Sequence, residues 1–280
     1  VAIDGSVHAV AVQGVDGKVV IGGDFTLTGG TPEVTLRNIA RLNPDGTLDS
    51  SFTPPVLDGP VHAVALQPDP VLPAGPELVL IGGAFTSAGG VPRKGLARLS
   101  GGDGALDAFD PVTAAGPVTV HAITLLPSKT SIVVGGVFAA IKDGVPTRNL
   151  VGLSAAGVTS GELDWRYTGG LGDDAGNAAV YAVVLQDESV VVGGEFVTPG
   201  SANMVRFTSL GVYDGTFVPP APGGVVRALA VQVDGKVLLG GDFFGSALAR
   251  DYLARLMPDG TPDTFDAALD PAAGSFVSAL

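Results

Sequence analysis

The chain has 280 residues, 46% of them apolar, enough to fill the core of one large β domain or two ordinary ones, which excludes a disordered polymer. Only 15% of residues are charged, while 42 glycines and 21 prolines punctuate the chain, a composition of short strands and turns rather than long helices. The formal charge of −13 works against nucleic acids and anionic membranes, and the lack of cysteine excludes disulfides, thiolate metal sites and a cysteine nucleophile. Glycine, proline or charge interrupts every apolar run before the roughly 18 residues that a membrane-spanning helix needs, so no membrane insertion is expected. The start at Val1, without methionine or leader, reads as a mature chain or a fragment of something longer.

In chain order, the first unit opens with an alternating run, VHAVAVQ from Val7. It turns at Asp16-Gly17 and runs on to Gly22-Gly23 and Phe25. This predicts a β-hairpin. A variable loop leads to a third run, NIARLNPDG from Asn38, and a short fourth, TLDSSF from Thr47. The same series returns with VHAVALQ, VHAITLL, VYAVVLQ and VRALAVQ, and with glycine pairs at Gly82-Gly83, Gly135-Gly136, Gly193-Gly194 and Gly240-Gly241. A period of roughly 50 residues with this much β character indicates a propeller or a solenoid, and four strands per unit is one propeller blade. The expectation is all-β: a single β-propeller over 1–280, five blades of four antiparallel strands, at about 5–58, 59–115, 116–176, 177–223 and 224–273. The segment 274–280, GSFVSAL, reads as an extra or closing strand. The third unit departs most, with SAAGVTS in place of the NPDGT turn and the insertion GGLGDDAGN before the next unit.

The combination DGK-[VIL]-x-[VIL]-GG-x-F followed by xxARLxPDGxxD resembles the bacterial delta-60 repeat, a family of predicted β-propellers. The resemblance covers almost the whole chain. It is strongest in units one and five, while units three and four lack parts of the motif. It implies a repeat domain of secreted or surface bacterial proteins, and it implies no activity for named residues.

Most recurring residues read as structural. Paired glycines inside a strand mark a bulge or a close backbone approach, and a phosphate-cradling loop would need a following helix that is absent. Phe25, Phe85, Phe138, Phe196 and Phe243 read as core. Acids Asp24, Glu195 and Asp242 occur in the units that carry Arg41, Arg206 and Arg255, which suggests cross-strand ion pairs within those units. Blade two keeps only Arg98, and blade three has neither member. Asp49, Asp107, Asp164, Asp214 and Asp263 recur in the fourth run, as turn or strand-end hydrogen-bond acceptors, with the same arginines as one partner. Calcium is the alternative at these aspartates, but no segment has the D-x-D-x-D-G spacing. Trp165, Arg166 and Tyr167 either cap the last strand of the third unit or stack on a sugar ring.

One position differs from unit to unit. All three histidines fall there, His8, His62 and His121, with Tyr181 and Arg227 as the equivalents in units four and five. First strands of propellers line the central channel, so these five are candidate ligand-binding residues in a ring at its mouth. Three imidazoles could share a transition metal, or with Tyr181 and Arg227 bind a small anion. Alternatively each is a half-buried strand residue whose polar tip reaches water. Strict alternation puts His8 on the face of Val10 and Val12, opposite Val7, Ala9 and Ala11, and does not say which face looks into the channel.

No nucleophile elbow, HExxH motif or Walker loop is present. The expected function is a non-enzymatic extracellular or cell-surface binding module for protein or carbohydrate, with no cofactor and no nucleic-acid partner. Two alternatives are the structural subunit of a surface filament or layer, self-assembling through the C-terminal strand, and a polysaccharide-active hydrolase or lyase. The last would need acids converging on the axis, whereas the recurrent acids are dispersed among units.

Overall fold

The computed structural model describes the chain apart from residues 143–144, 156–160, 168–169, 172–177, 199–200, 245–247, 249, 268 and 270–275, and apart from the side chains of Trp165 and Ser201. The alternating runs form antiparallel hairpins. β1 (Ala2–Val12) and β2 (Val19–Gly29) meet at a turn in which Gly17 has φ of 70° and the Asp16 carboxylate accepts the Lys18 amide hydrogen. β3 (Val34–Leu42) pairs with β2, giving the order β1-β2-β3.

The second sheet is β4 (Val61–Gln67), β5 (Leu78–Gly83) and β8 (Leu96–Leu99), with the ribbon β6 (Ser87–Ala88) and β7 (Val91–Pro92) in the intervening loop. The third is β9 (Val118–Leu125), β10 (Ser131–Phe138), β13 (Leu150–Ser154) and β14 (Leu163–Asp164), with the ribbon β11 (Ala140–Lys142) and β12 (Val145–Pro146). β15 (Ala179–Gln186), β16 (Ser189–Thr198) and β17 (Ser201–Phe207) form the fourth, and β18 (Val225–Val231), β19 (Val237–Asp242) and β20 (Leu253–Leu256) the fifth.

The expected fourth strand is a strand only in the third sheet, where β14 pairs with β13 at Gly152 and Leu153. In the other four units the run makes one isolated bridge: Leu42 with Leu48, Leu99 with Leu106, Phe207 with Tyr213, and Leu256 with Pro262. The recurrent aspartate ends it. Asp49 Oδ1 accepts the Ser51 amide at 3.0 Å and Asp214 Oδ1 the Thr216 amide at 2.9 Å, which turns the backbone out of the ladder. The anomalous SAAGVTS turn and the GGLGDDAGN insertion lie largely outside the described residues.

Consecutive sheets pack face to face around shared cores. Val20 and Ile39 of the first sheet meet Val61 and Ile81 of the second. Leu80 and Leu96 of the second meet Val120 and Ile132 of the third. The glycine pairs make this approach close. A Cβ on Gly22 would strike Val61, one on Gly82 Val120, one on Gly135 Val180, and one on Gly193 Val226, all side chains of the next unit. The second glycine of each pair backs onto its own first strand: Gly23 onto the Ser6 carbonyl and Gly83 onto the Pro60 carbonyl. Opposite each pair the first strand carries a β-bulge. Val7 faces Gly23 and Ala9 faces Gly22, which leaves His8 without a partner residue, and the same skip occurs at His62, His121, Tyr181 and Arg227.

The arginines of the third run meet the fourth-run aspartates, one of the two kinds of partner expected for them, and not the acids that follow the glycine pairs. Arg41 stands opposite Val20, Arg206 opposite Val191 and Arg255 opposite Leu238, each four positions from the acid proposed for it. At roughly 3.3 Å per residue that acid is out of reach. The pairs Asp24–Arg41, Glu195–Arg206 and Asp242–Arg255 are therefore replaced by pairs with the fourth-run aspartates. Arg41 Nε lies 2.7 Å from Asp49, Arg98 Nε 2.7 Å from Asp107, Arg206 Nη2 2.8 Å from Asp214, and Arg255 Nε 3.0 Å from Asp263. Each guanidinium lies over a phenylalanine, 4.5 Å from the Phe52 ring centre for Arg41 and 4.6 Å from that of Phe217 for Arg206.

These arginines also fasten one unit to the next. Arg41 donates to the carbonyls of Gly101 and Gly102, Arg98 to Ala155, and Arg206 to Pro258. A glutamine at the end of the first run, Gln13, Gln67 or Gln186, accepts from the same guanidinium. The third unit has Gly152 in place of the arginine and Leu126 in place of the glutamine. There Arg166 pairs with Asp164 and reaches the Ser209 carbonyl at 3.5 Å, while the Tyr167 hydroxyl donates to Thr208 at 3.3 Å. Tyr167 is buried in the core between the third and fourth sheets, so it offers no face to a sugar. The Arg166-Tyr167 pair thus supplies the inter-unit contact that the missing arginine leaves open.

Candidate functional site

The bulge decides where the ring residues point. It breaks the strict alternation expected for the first strand, so that Val61 and Val64, three residues apart, both face Gly22. The extra residue between them, His62, is turned out of the inter-sheet core. His8, His62, His121, Tyr181 and Arg227 all emerge in this way, and together they line one cavity of about 230 Å³ with Phe276 and Ser278. Val277, which precedes Ser278, packs on Gly240 as Val61 packs on Gly22, and its amide donates to the Gly241 carbonyl at 3.2 Å. Ser278 is thereby a sixth member of the ring. The homology of GSFVSAL with GSVHAV is the signal that could have found it.

The side chains form a continuous arc. Neighbouring ring centres are 5.4 Å apart for His8 and His62, 5.1 Å for His62 and His121, and 5.1 Å for His121 and Tyr181, all at tilted angles. The Arg227 guanidinium closes the series, 5.4 Å from the Tyr181 ring centre on one side and 5.1 Å from that of Phe276 on the other. Residues of the five first strands and residues 279–280 also line a neighbouring open cavity of about 460 Å³, with small apolar side chains such as Ala63, Ala122, Ala182 and Ala228.

Burial holds His121 low, at about 4, with the neighbouring His62 adding to the effect. His62 is also held below its ordinary value, first by burial and then by His8, against an opposing pull from Asp24. Both shifts disfavour the charged imidazole, and among the described residues Arg227 is the arginine or lysine that lines the cavity. Its contact with Asp242 is long, 4.0 Å, between partly exposed groups, and its Nε is buried without a hydrogen-bond partner among the described residues. Among the described residues, no hydrogen bond uses the imidazole nitrogens or the Tyr181 hydroxyl. No group of three or more His, Asp or Glu side chains there is placed to hold a metal ion, so the geometry does not offer the metal site that three imidazoles suggested.

A larger cleft of about 490 Å³ lies between the first two sheets, with Asp4, Asp24, Arg37 and Asp58 in its wall. Asp58 is already engaged there by the Thr86 amide and hydroxyl and by the Ser87 amide. Asp24 and Glu195 are exposed, and the recurrent acids do not converge on the channel.

Residues 16–52, 79–109 and 232–265 match the family described as domain of unknown function (DUF5122) beta-propeller. No curated protein matches the chain. Among solved structures the chain is similar to the extracellular domain of BT3049 from B. thetaiotaomicron, assigned to a hybrid two component system, at 13% identity and a TM-score of 0.50 over 91% of this chain and 29% of that one. It is also similar to the extracellular domain of BT4673 from the same organism, assigned to a one component system, at 15% identity and a TM-score of 0.48 over 91% of this chain and 27% of that one. A gluconolactonase from Xanthomonas campestris, XC5397, matches at 10% identity and a TM-score of 0.47, over 83% of this chain and 82% of that one. The chain spans less than a third of the length of the two B. thetaiotaomicron domains. No helix among the described residues is long and apolar enough to cross a membrane. The repeated sheets and the matched segments together make this an all-β protein with a β-propeller repeat.

Proposed function

We propose that the chain is a non-enzymatic extracellular or cell-surface binding module: five propeller blades around one channel, whose mouth holds the ligand. The observation that carries this reading is the convergence of His8, His62, His121, Tyr181 and Arg227 on one concave site from equivalent bulges of five strands. At the glycine pairs, and at the valine before each ring residue (Val7, Val61, Val120, Val180 and Val226), equivalent positions keep one residue type, as close packing of the sheets demands. At this position the types differ, and among the described residues no hydrogen bond engages the imidazole nitrogens or the Tyr181 hydroxyl. Such a site, concave, next to apolar side chains and with a few polar groups at its rim, is the common form of a small-molecule pocket. The extracellular setting of the similar BT3049 domain is in keeping with the proposed location.

Thermal unfolding in the presence of a panel of small metabolites and oligosaccharides tests the reading. A ligand that binds only the folded chain raises Tm by mass action. The expected result is a concentration-dependent rise in the wild type that is lost in the double variant His121→Ala, Tyr181→Ala. A rise of equal size in the variant would move the site away from the channel mouth.

A further inference from the structure

The cavity lining is chemically one-sided. In a protein of net charge −13, none of the described residues around the 230 Å³ cavity is acidic, and the Arg227 guanidinium is the permanent cation among them. The remaining polar members, three imidazoles, a phenol and the Ser278 hydroxyl, can all donate a hydrogen bond. We propose, on the reading that the channel mouth is the binding site, that its ligand is a small carboxylate carrying a single negative charge, with the carboxylate on Arg227 and the rest of the molecule along the arc of Tyr181, His121 and His62.

Three observations carry this. The guanidinium carbon lies 5.4 Å from the Tyr181 ring centre and 5.1 Å from that of Phe276 at the end of the arc, and a guanidinium is the side chain that matches a flat, two-oxygen acceptor. The cavity is smaller than the roughly 300–1,000 Å³ of pockets for drug-sized ligands, so the occupant is small. With one cation in the lining, Asp242 4.0 Å from it and Asp24 acting on His62, each further negative charge on the ligand is more costly, so a singly charged carboxylate is favoured over a phosphate dianion.

The protein's three histidines all belong to this ring, so their imidazole Cε1–H resonances report on the site without interference from any other histidine. Titrations with benzoate, its neutral counterpart benzamide, benzylammonium and inorganic phosphate, followed by proton–carbon correlation spectra, test the proposal. Benzoate is expected to move the imidazole signals saturably, with benzamide, benzylammonium and phosphate each at least tenfold weaker. Arg227→Gln is expected to lose the benzoate response at least tenfold while keeping three resolved imidazole signals, which shows that the variant is folded. Benzamide or phosphate acting as well as benzoate, or Arg227→Gln binding benzoate like the wild type, would overturn the carboxylate assignment and leave the site in place. Imidazole signals that no probe moves would overturn the binding site itself.

Discussion

Arg41 donates from Nε to Asp49 Oδ2 across 2.7 Å, with side chains 2% and 7% exposed, and the same guanidinium reaches into the second unit to the carbonyls of Gly101 and Gly102. The pair is therefore both the lock of one sheet and the fastening to the next. Removing one partner strands a buried charge, which typically costs about 3–5 kcal/mol. Asp49→Asn is expected to fall near the lower end, because the amide keeps one acceptor for Arg41. Urea denaturation at neutral pH measures it. Asp263→Asn, whose partner Arg255 is more exposed, is expected to cost less.

The glycine pairs give a steric prediction. A Cβ on Gly22 would lie 2.5 Å from Val61 Cγ1 in the neighbouring sheet, whereas one on Gly116 meets nothing within 4 Å. Gly22→Ala is expected to destabilise by about 1–3 kcal/mol through overpacking. Gly116→Ala is expected to stay within about 0.5 kcal/mol of the wild type. Equal effects at the two sites would remove the close approach of the sheets as the reason for the paired glycines.

Equivalent valines should differ according to their place in the array. Val61, Val120, Val180 and Val226 are each 0% exposed, while Val7 at the same repeat position is 41% exposed, with Val10 and Val12 at 59% and 60%. Val61→Ala is expected to cost at least about 1 kcal/mol and Val7→Ala less than half as much, measured by thermal or urea unfolding.

The histidine arc predicts a pH response. Burial depresses His121 to about 4 in the folded protein against an ordinary value near 6.5, so between these values the unfolded chain binds more protons. Its contribution to stability is complete above about pH 6.5 and is lost as pH falls through about 4. The groups that bear on it are His62, His8, Tyr181 and Arg227 of the arc and the acids Asp24 and Asp242 beyond it. A proton spectrum recorded across pH 3–8 should show one imidazole with its midpoint near pH 4. Three midpoints all near 6.5 would contradict the buried, stacked arc.

Much of this molecule follows from the sequence alone, because a repeat writes the same instruction five times. Alternating runs, Asp-Gly turns and glycine pairs specify the hairpins, and the equivalence of His8, His62, His121, Tyr181 and Arg227 follows from their shared place in the unit. What local pattern does not carry is register and facing, which depend on residues across a strand or in the next sheet. The bulge at each ring position lies opposite the glycine pair on which the neighbouring sheet packs, and it reverses the face that strict alternation assigns. In units one, four and five two acids competed for the arginine. The pairing of Arg41 with Val20 four residues short of Asp24, and the return of the chain at Asp49, selected the second. The loss of both arginine and glutamine from the third unit was visible in the sequence, but its replacement by Arg166 and Tyr167 was decided by where the packed sheets left carbonyls within reach.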